Sequence, residues 1–111
     1  MKKTKREPFV MLYRSVFESD AYRNLAAIER DILWLLISHH NGRNNGAIPL
    51  GIREAATWSH CSNTTAYRAL KTLATAGFIS ITDKGRLVQS GDNRATRWRL
   101  NFTLPCTSKG T

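Results

Sequence analysis

The sequence predicts an α+β fold, mainly α-helical with a small β-hairpin, and three observations predict it. Apolar residues recur at three-and-four spacing over 26–40 and again over 62–76, the period of a helix with one buried face. A short helical pattern over 51–58 stands three residues ahead of the second of these. After Gly77 the period falls to two, over 79–82 and again over 95–104, which is the pattern of strands. A chain of 111 residues has room for one such domain around one core. We place that domain at 9–104, between a disordered basic tail at 1–8 and a frayed tail at 105–111.

Residues 1–8, MKKTKREP, hold four Lys and Arg and no apolar period. Such an arm either lies in a neighbouring minor groove or only solubilises the chain. From Phe9 to Leu25 the apolar residues Val10, Leu12, Val16, Phe17 and Tyr22 suggest one or two short helical turns, packed on the core or on a second subunit. Ala26 to His40 is the first long helix, with Ile28, Ile32, Leu35, Leu36 and His39 on one face and Glu29, Arg30 and Asp31 opening the solvated one. Trp34 and Ile37 widen the apolar surface, so either a partner chain or the N-terminal segment covers it. The turn-forming stretch NGRNNG, 41–46, ends this helix, and Ala47 to Pro49 forms a short first strand.

The next two helices carry the function. Ser62 is a good N-cap, because its hydroxyl can accept from an amide of the first turn. The helix runs to Ala76 and stops at Gly77, which can take the left-handed conformation. Ala66, Ala69, Leu70, Leu73 and Ala74 make its buried stripe. Asn63, Thr64, Tyr67, Arg68 and Lys71 lie on the other side, with no acid among them. A solvated face usually mixes both signs, whereas hydrogen bonders, an aromatic and two cations suit duplex DNA. The preceding helix, Gly51 to Trp58, buries Ile52, Ala55, Ala56 and Trp58. The turn Ser59-His60-Cys61 has helix-turn-helix length. His60 stands where such turns favour glycine, and histidine visits positive φ more readily than most residues. Cys61 is expected as a small packed residue under the helices.

Beyond Gly77, Ile79 and Ile81 alternate with Ser80 and Thr82, and Asp83-Lys84-Gly85 turns the chain. In the strand over 95–104, Thr96, Trp98, Leu100 and Phe102 face one way and Arg97, Arg99 and Asn101 the other. The connection between the strands, KGRLVQSGDNR, is basic and contains glycine.

The run REAATWSHCSNTTAYRALKTLATAGFI is similar to the GntR-type pattern of the winged helix-turn-helix superfamily. The matching positions are Arg53-Glu54, Ser62, Thr65, Ala69-Leu70, Leu73 and Gly77-Phe78-Ile79. The resemblance implies a winged helix-turn-helix whose helix 62–76 enters the major groove, and whose basic hairpin is a wing against phosphate or the minor groove. It also implies that Thr65 binds backbone phosphate and that Arg53 reaches DNA. It does not choose a role, because plasmid and phage replication initiators use similar modules.

Net charge supports a polyanionic partner. Seventeen Lys and Arg against eight Asp and Glu give +9 and a pI near 10.3. Residues 1–54 carry net +3 and residues 55–111 net +6, so the excess concentrates with the second helix and the hairpin. No apolar run is long enough to span a bilayer and no signal peptide is evident, so the expectation is a cytoplasmic protein with no membrane partner. There is no phosphate-binding glycine loop, zinc quartet or nucleophile elbow, and the acids are scattered. His39, His40, His60 and Cys61 lack metal-site spacing. The expectation is therefore no enzyme, no metal, no cofactor and no small-molecule effector.

The expected function is sequence-specific double-stranded DNA binding, as a small transcriptional regulator of repressor type. The alternatives are a plasmid or phage replication or partition protein, and a winged-helix protein-interaction scaffold. Asn63, Thr64, Tyr67 and Arg68 are expected at or beside base edges, and Lys71, Lys84, Arg86 and Arg94 at phosphates, beside Arg53 and Thr65 from the resemblance. A homodimer is expected, because one recognition helix reads only a few base pairs.

Overall fold

The computed structural model describes residues 9–40, 44–83 and 96–102. The element order is α1 (Arg14–Phe17), α2 (Asp20–Arg23), α3 (Ala27–His39), β1 (Ile48–Pro49), α4 (Ile52–Ser59), α5 (Asn63–Thr75), β2 (Ile79–Asp83) and β3 (Arg97–Leu100). Three packed helices and a three-stranded antiparallel sheet of order β1-β3-β2 make a winged-helix-like α+β fold. The expected tails at 1–8 and 105–111, and the wing residues Lys84, Arg86 and Arg94, lie outside the described residues.

Local chemistry sets the ends of the helices. The Ser19 hydroxyl accepts from the Tyr22 amide at 3.2 Å and opens α2. Before α3 the Glu29 carboxylate accepts from the Ala26 amide at 2.8 Å, half of a capping box built without a side-chain cap at Ala26. α4 and α5 finish alike. In α5 the Phe78 amide reaches the Leu73 carbonyl and the Gly77 amide that of Ala74, with Gly77 at φ 90. In α4 the Cys61 amide reaches Ala56 and the His60 amide Thr57, with His60 at φ 56. His60 thus fills the left-handed position, and the paired carbonyl bonds show why the chain closes there without glycine.

The core lies between α3, α4, α5 and one face of the sheet. Ile32, Leu33, Leu36, Ile48, Leu50, Leu70, Leu73 and Ile79 are fully buried. Ala55, Ala56, Ala66 and Ala69 are buried as well, and their size lets the helices approach closely. On the sheet, Ile48 and Ile81 flank Trp98, and Ile79 pairs with Leu100. The indole of Trp98 donates to the Leu50 carbonyl at 2.9 Å, and the Leu50 amide donates to Thr96 at 2.9 Å, fixing the entry to α4. The Asn45 side chain accepts from the Leu100 amide and donates to its carbonyl, so it stands in for a strand residue at the end of β3.

Two expectations fail on rotation about a helix axis. Trp58 is 56 % exposed, because at 100° per residue it lies well off the stripe of Ile52, Ala55, Ala56 and Ser59. Ala74 is exposed for the same reason, about a quarter turn from the centre of the Ala66, Ala69, Leu70 and Leu73 stripe. His39 keeps its place in line with Ile32, Leu35 and Leu36, partly buried at the end of α3, and bonds Glu54 of α4 through Nε2 at 2.9 Å. The second tie between these helices joins Ser59 to Asp31 at 2.7 Å, so α3 and α4 run antiparallel.

The wide apolar surface of α3 is covered by the N-terminal segment. The Trp34 indole donates to the Tyr22 hydroxyl at 3.0 Å, and the Arg30 guanidinium sits 5.5 Å from the Tyr22 ring centroid while donating to the Arg23 carbonyl. Tyr22 and Leu25 are buried, and Leu12 and Val16 pack on the core from outside.

Candidate nucleic-acid interface

Helix α5 presents its polar face outward with a sharp division of side chains. Ala66, Ala69, Leu70 and Leu73 are buried, while Asn63, Thr64, Thr65, Tyr67, Arg68 and Lys71 are all exposed. By helical rotation Thr64, Arg68 and Lys71 stand farthest from the buried stripe, with Asn63 and Tyr67 on one flank and Thr65 on the other. Every expected residue of this helix therefore falls on the open side. Thr72 and Thr75 share that side and are exposed too. The signal for them was in the sequence, since each follows Arg68 or Lys71 by four residues.

No acidic residue occurs between Glu54 and Asp83, so from the second turn of α4 through α5 the chain contributes cations and no anion of its own. Glu54 itself is held by His39. The side chains of Arg53, Asn63, Thr64 and Arg68 make no hydrogen bond or ion pair among the described residues, and all four are exposed. Among the described residues these polar groups have no internal bond to break before they meet an external partner. Arg53 lies in the first turn of α4.

The N-terminus of α5 is built around two hydroxyls. The Ser62 hydroxyl accepts from the Thr65 amide at 3.1 Å and donates to the Thr65 hydroxyl oxygen at 3.0 Å. With its oxygen so engaged, the Thr65 hydroxyl can turn its own hydrogen outward to an acceptor such as a phosphate oxygen. Farther along the helix the Lys71 ammonium lies 5.8 Å from the Tyr67 ring centroid, one turn away.

The sheet adds a second set of cations. Arg97 and Arg99 are exposed on the outer side of β3, opposite the buried Thr96, Trp98 and Leu100, as the alternation of the sequence predicts. Asn101, on the same side, is spent on the Ser80 hydroxyl at 2.8 Å. Ile81 is 37 % exposed because β2 is an edge strand. Among the described residues no group of three or more His, Cys, Asp or Glu could hold a metal, and Cys61 is half-buried against the core. No helix among them is long and apolar enough to cross a membrane.

No family model and no curated protein matches the chain. Two solved structures resemble it, each at 20 % identity. One is described as the N-terminal domain of a DNA binding protein, with 92 % of this chain and 79 % of that one covered at a TM-score of 0.48. The other is described as the structure of a Rep-DNA complex, with 93 % and 81 % covered at a TM-score of 0.49.

Proposed function

We propose that this chain binds double-stranded DNA in a sequence-specific way and works as a small transcriptional regulator that represses by covering its site. The observation that carries the reading is the outer face of α5, where hydrogen-bonding and cationic side chains stand exposed without an acid between Glu54 and Asp83. In the major groove Arg68 can pair with guanine O6 and N7, and Asn63 with adenine N6 and N7. Thr64 and Tyr67 lie beside them. Thr65, Arg53 and Lys71 would hold phosphates, which position the helix without reading sequence. The likeness of residues 53–79 to the GntR-type pattern is part of this proposal, since it assigns Arg53 and Thr65 their roles. Lys84, Arg86 and Arg94 belong to it as wing contacts on sequence grounds alone.

The same face would serve a replication or partition protein, because both jobs need duplex recognition and differ in where the site lies. Selection of bound fragments from the source genome separates them: promoters support repression, and clustered repeats at an origin support replication. Affinity for duplex DNA should fall steeply with salt, and one sequence should be protected in a footprint. If neither random nor genomic duplex bound at low salt, the basic face would belong to an acidic protein partner instead. Two copies of the chain are part of the reading, because a two-fold partner doubles the length of DNA read.

A further inference from the structure

The N-terminal segment that covers α3 is itself left uncovered on its outer side. Leu12 and Val16 turn inward to the core, whereas Phe9, Val10, Tyr13 and Phe17 are 55 %, 42 %, 44 % and 54 % exposed. Four large apolar side chains within nine residues at roughly half exposure place on the order of 400 Å² outward, the size at which a contiguous apolar patch marks an interaction site. Beside them runs an open groove walled by Phe17, Glu18, Tyr22, Arg23 and Arg30. One of its walls holds a polar atom with unused capacity: the Arg30 Nε is buried and has no hydrogen-bond partner among the described residues.

Charge identifies the occupant. Residues 9–31 carry three basic and four acidic side chains, net −1, on a chain of +9. At net −1 this stretch draws a nucleic acid or any other acidic partner less than α5 and β3 do. It is also where two copies of so basic a chain can meet without the repulsion that opposes contact elsewhere. An apolar centre with both signs at its margin is self-complementary, which a two-fold interface requires. Among the described residues Arg14, for example, pairs with Glu18 at the end of its own helix, at 2.7 Å on the exposed surface, and can exchange that partner at little cost.

We propose that this N-terminal surface is the interface with a second copy of the chain, with Tyr13 and Phe17 of each copy seated against the Tyr22 groove of the other. The placement leaves the DNA face open. Residues of α2 engage Arg30 and Trp34 of α3, while α4 engages Asp31 and His39, about a third of a turn away on the same helix. The inference fills in the dimer of the proposed function, but it rests on exposure and charge rather than on DNA recognition.

The test is therefore made without DNA. Sedimentation at micromolar protein should show a dimer for the native chain and for Trp58→Glu, whose exposed indole is the control, and a monomer for Tyr13→Glu/Phe17→Glu. Amide exchange of residues 9–18 in the native chain, followed across a dilution series, should slow as the dimer forms, which needs no variant to fold. A native chain that stays monomeric overturns the proposal. So does a dimer that survives Tyr13→Glu/Phe17→Glu, one that Trp58→Glu dissolves, or exchange over 9–18 that ignores concentration. Loss of DNA binding with the dimer intact would count against the DNA reading alone.

Discussion

Replacing Arg68 by Ala separates base reading from charge. Arg68 is exposed near the middle of the open face of α5 and makes no side-chain bond among the described residues. Its removal should therefore change folding stability by less than about 0.5 kcal/mol, the usual range for a surface site with no special feature. On DNA the loss depends on its partner. A bidentate pair with guanine is worth about 1–3 kcal/mol, which is roughly a 5- to 150-fold weaker specific complex, with little change on random duplex. A phosphate contact would weaken both complexes alike and lower the salt slope by about 0.9. The assay is a titration of specific and random duplexes at several salt concentrations, with a thermal melt of each protein as control. Equal losses on both duplexes would refute base reading by Arg68. A clear fall in melting temperature would refute the claim that it stands free.

Other expectations concern the scaffold behind that face. Ser62→Ala removes the acceptor for the Thr65 amide and should cost about 1 kcal/mol, or about 5 °C in melting temperature; an unchanged melting temperature would show that the cap is idle. Trp98→Phe leaves the Leu50 carbonyl without its indole donor in a buried site and should cost about 2–4 kcal/mol in urea unfolding at unchanged slope; a loss under about 0.5 kcal/mol would deny the bond its role. Burial holds His40 below the ordinary histidine value of 6.5, so the unfolded chain binds a proton that the folded chain resists. The stability tied to His40 is whole above pH 6.5 and declines as pH falls below it. His40→Gln should flatten that decline in urea midpoints measured across the range, and an unchanged profile would remove His40 from the account.

The helix-turn-helix was legible because its signals are local. A cap hydroxyl, a stop glycine, a three-residue turn and the spacing of small apolar residues each act within a few residues of themselves. The structure returns α4 and α5 within a residue or two of the expected bounds. The polar face of α5 was legible for the same reason, since a helix fixes which side chains share a side. Apolar character alone does not place a side chain in the core. Trp58 and Ala74 are apolar and near the stripe, but each is rotated out of it. Thr72 and Thr75 carry no charge to mark them, and only their spacing from Arg68 and Lys71 places them on the open face.

The sequence by itself determined the α+β class, the helix boundaries, the acid-free face and the alternation of Arg97 and Arg99 with Trp98 and Leu100. Those properties follow from residue type and period, which the chain carries at every point. Only the tertiary structure decided that β3 lies between β1 and β2, that Asn45 closes the end of β3, that His39 meets Glu54, and that the N-terminal segment covers α3. Each of these joins groups 12 to 55 residues apart. A pattern read along the chain reports which way a side chain points, and the partner it meets is set by how the elements pack.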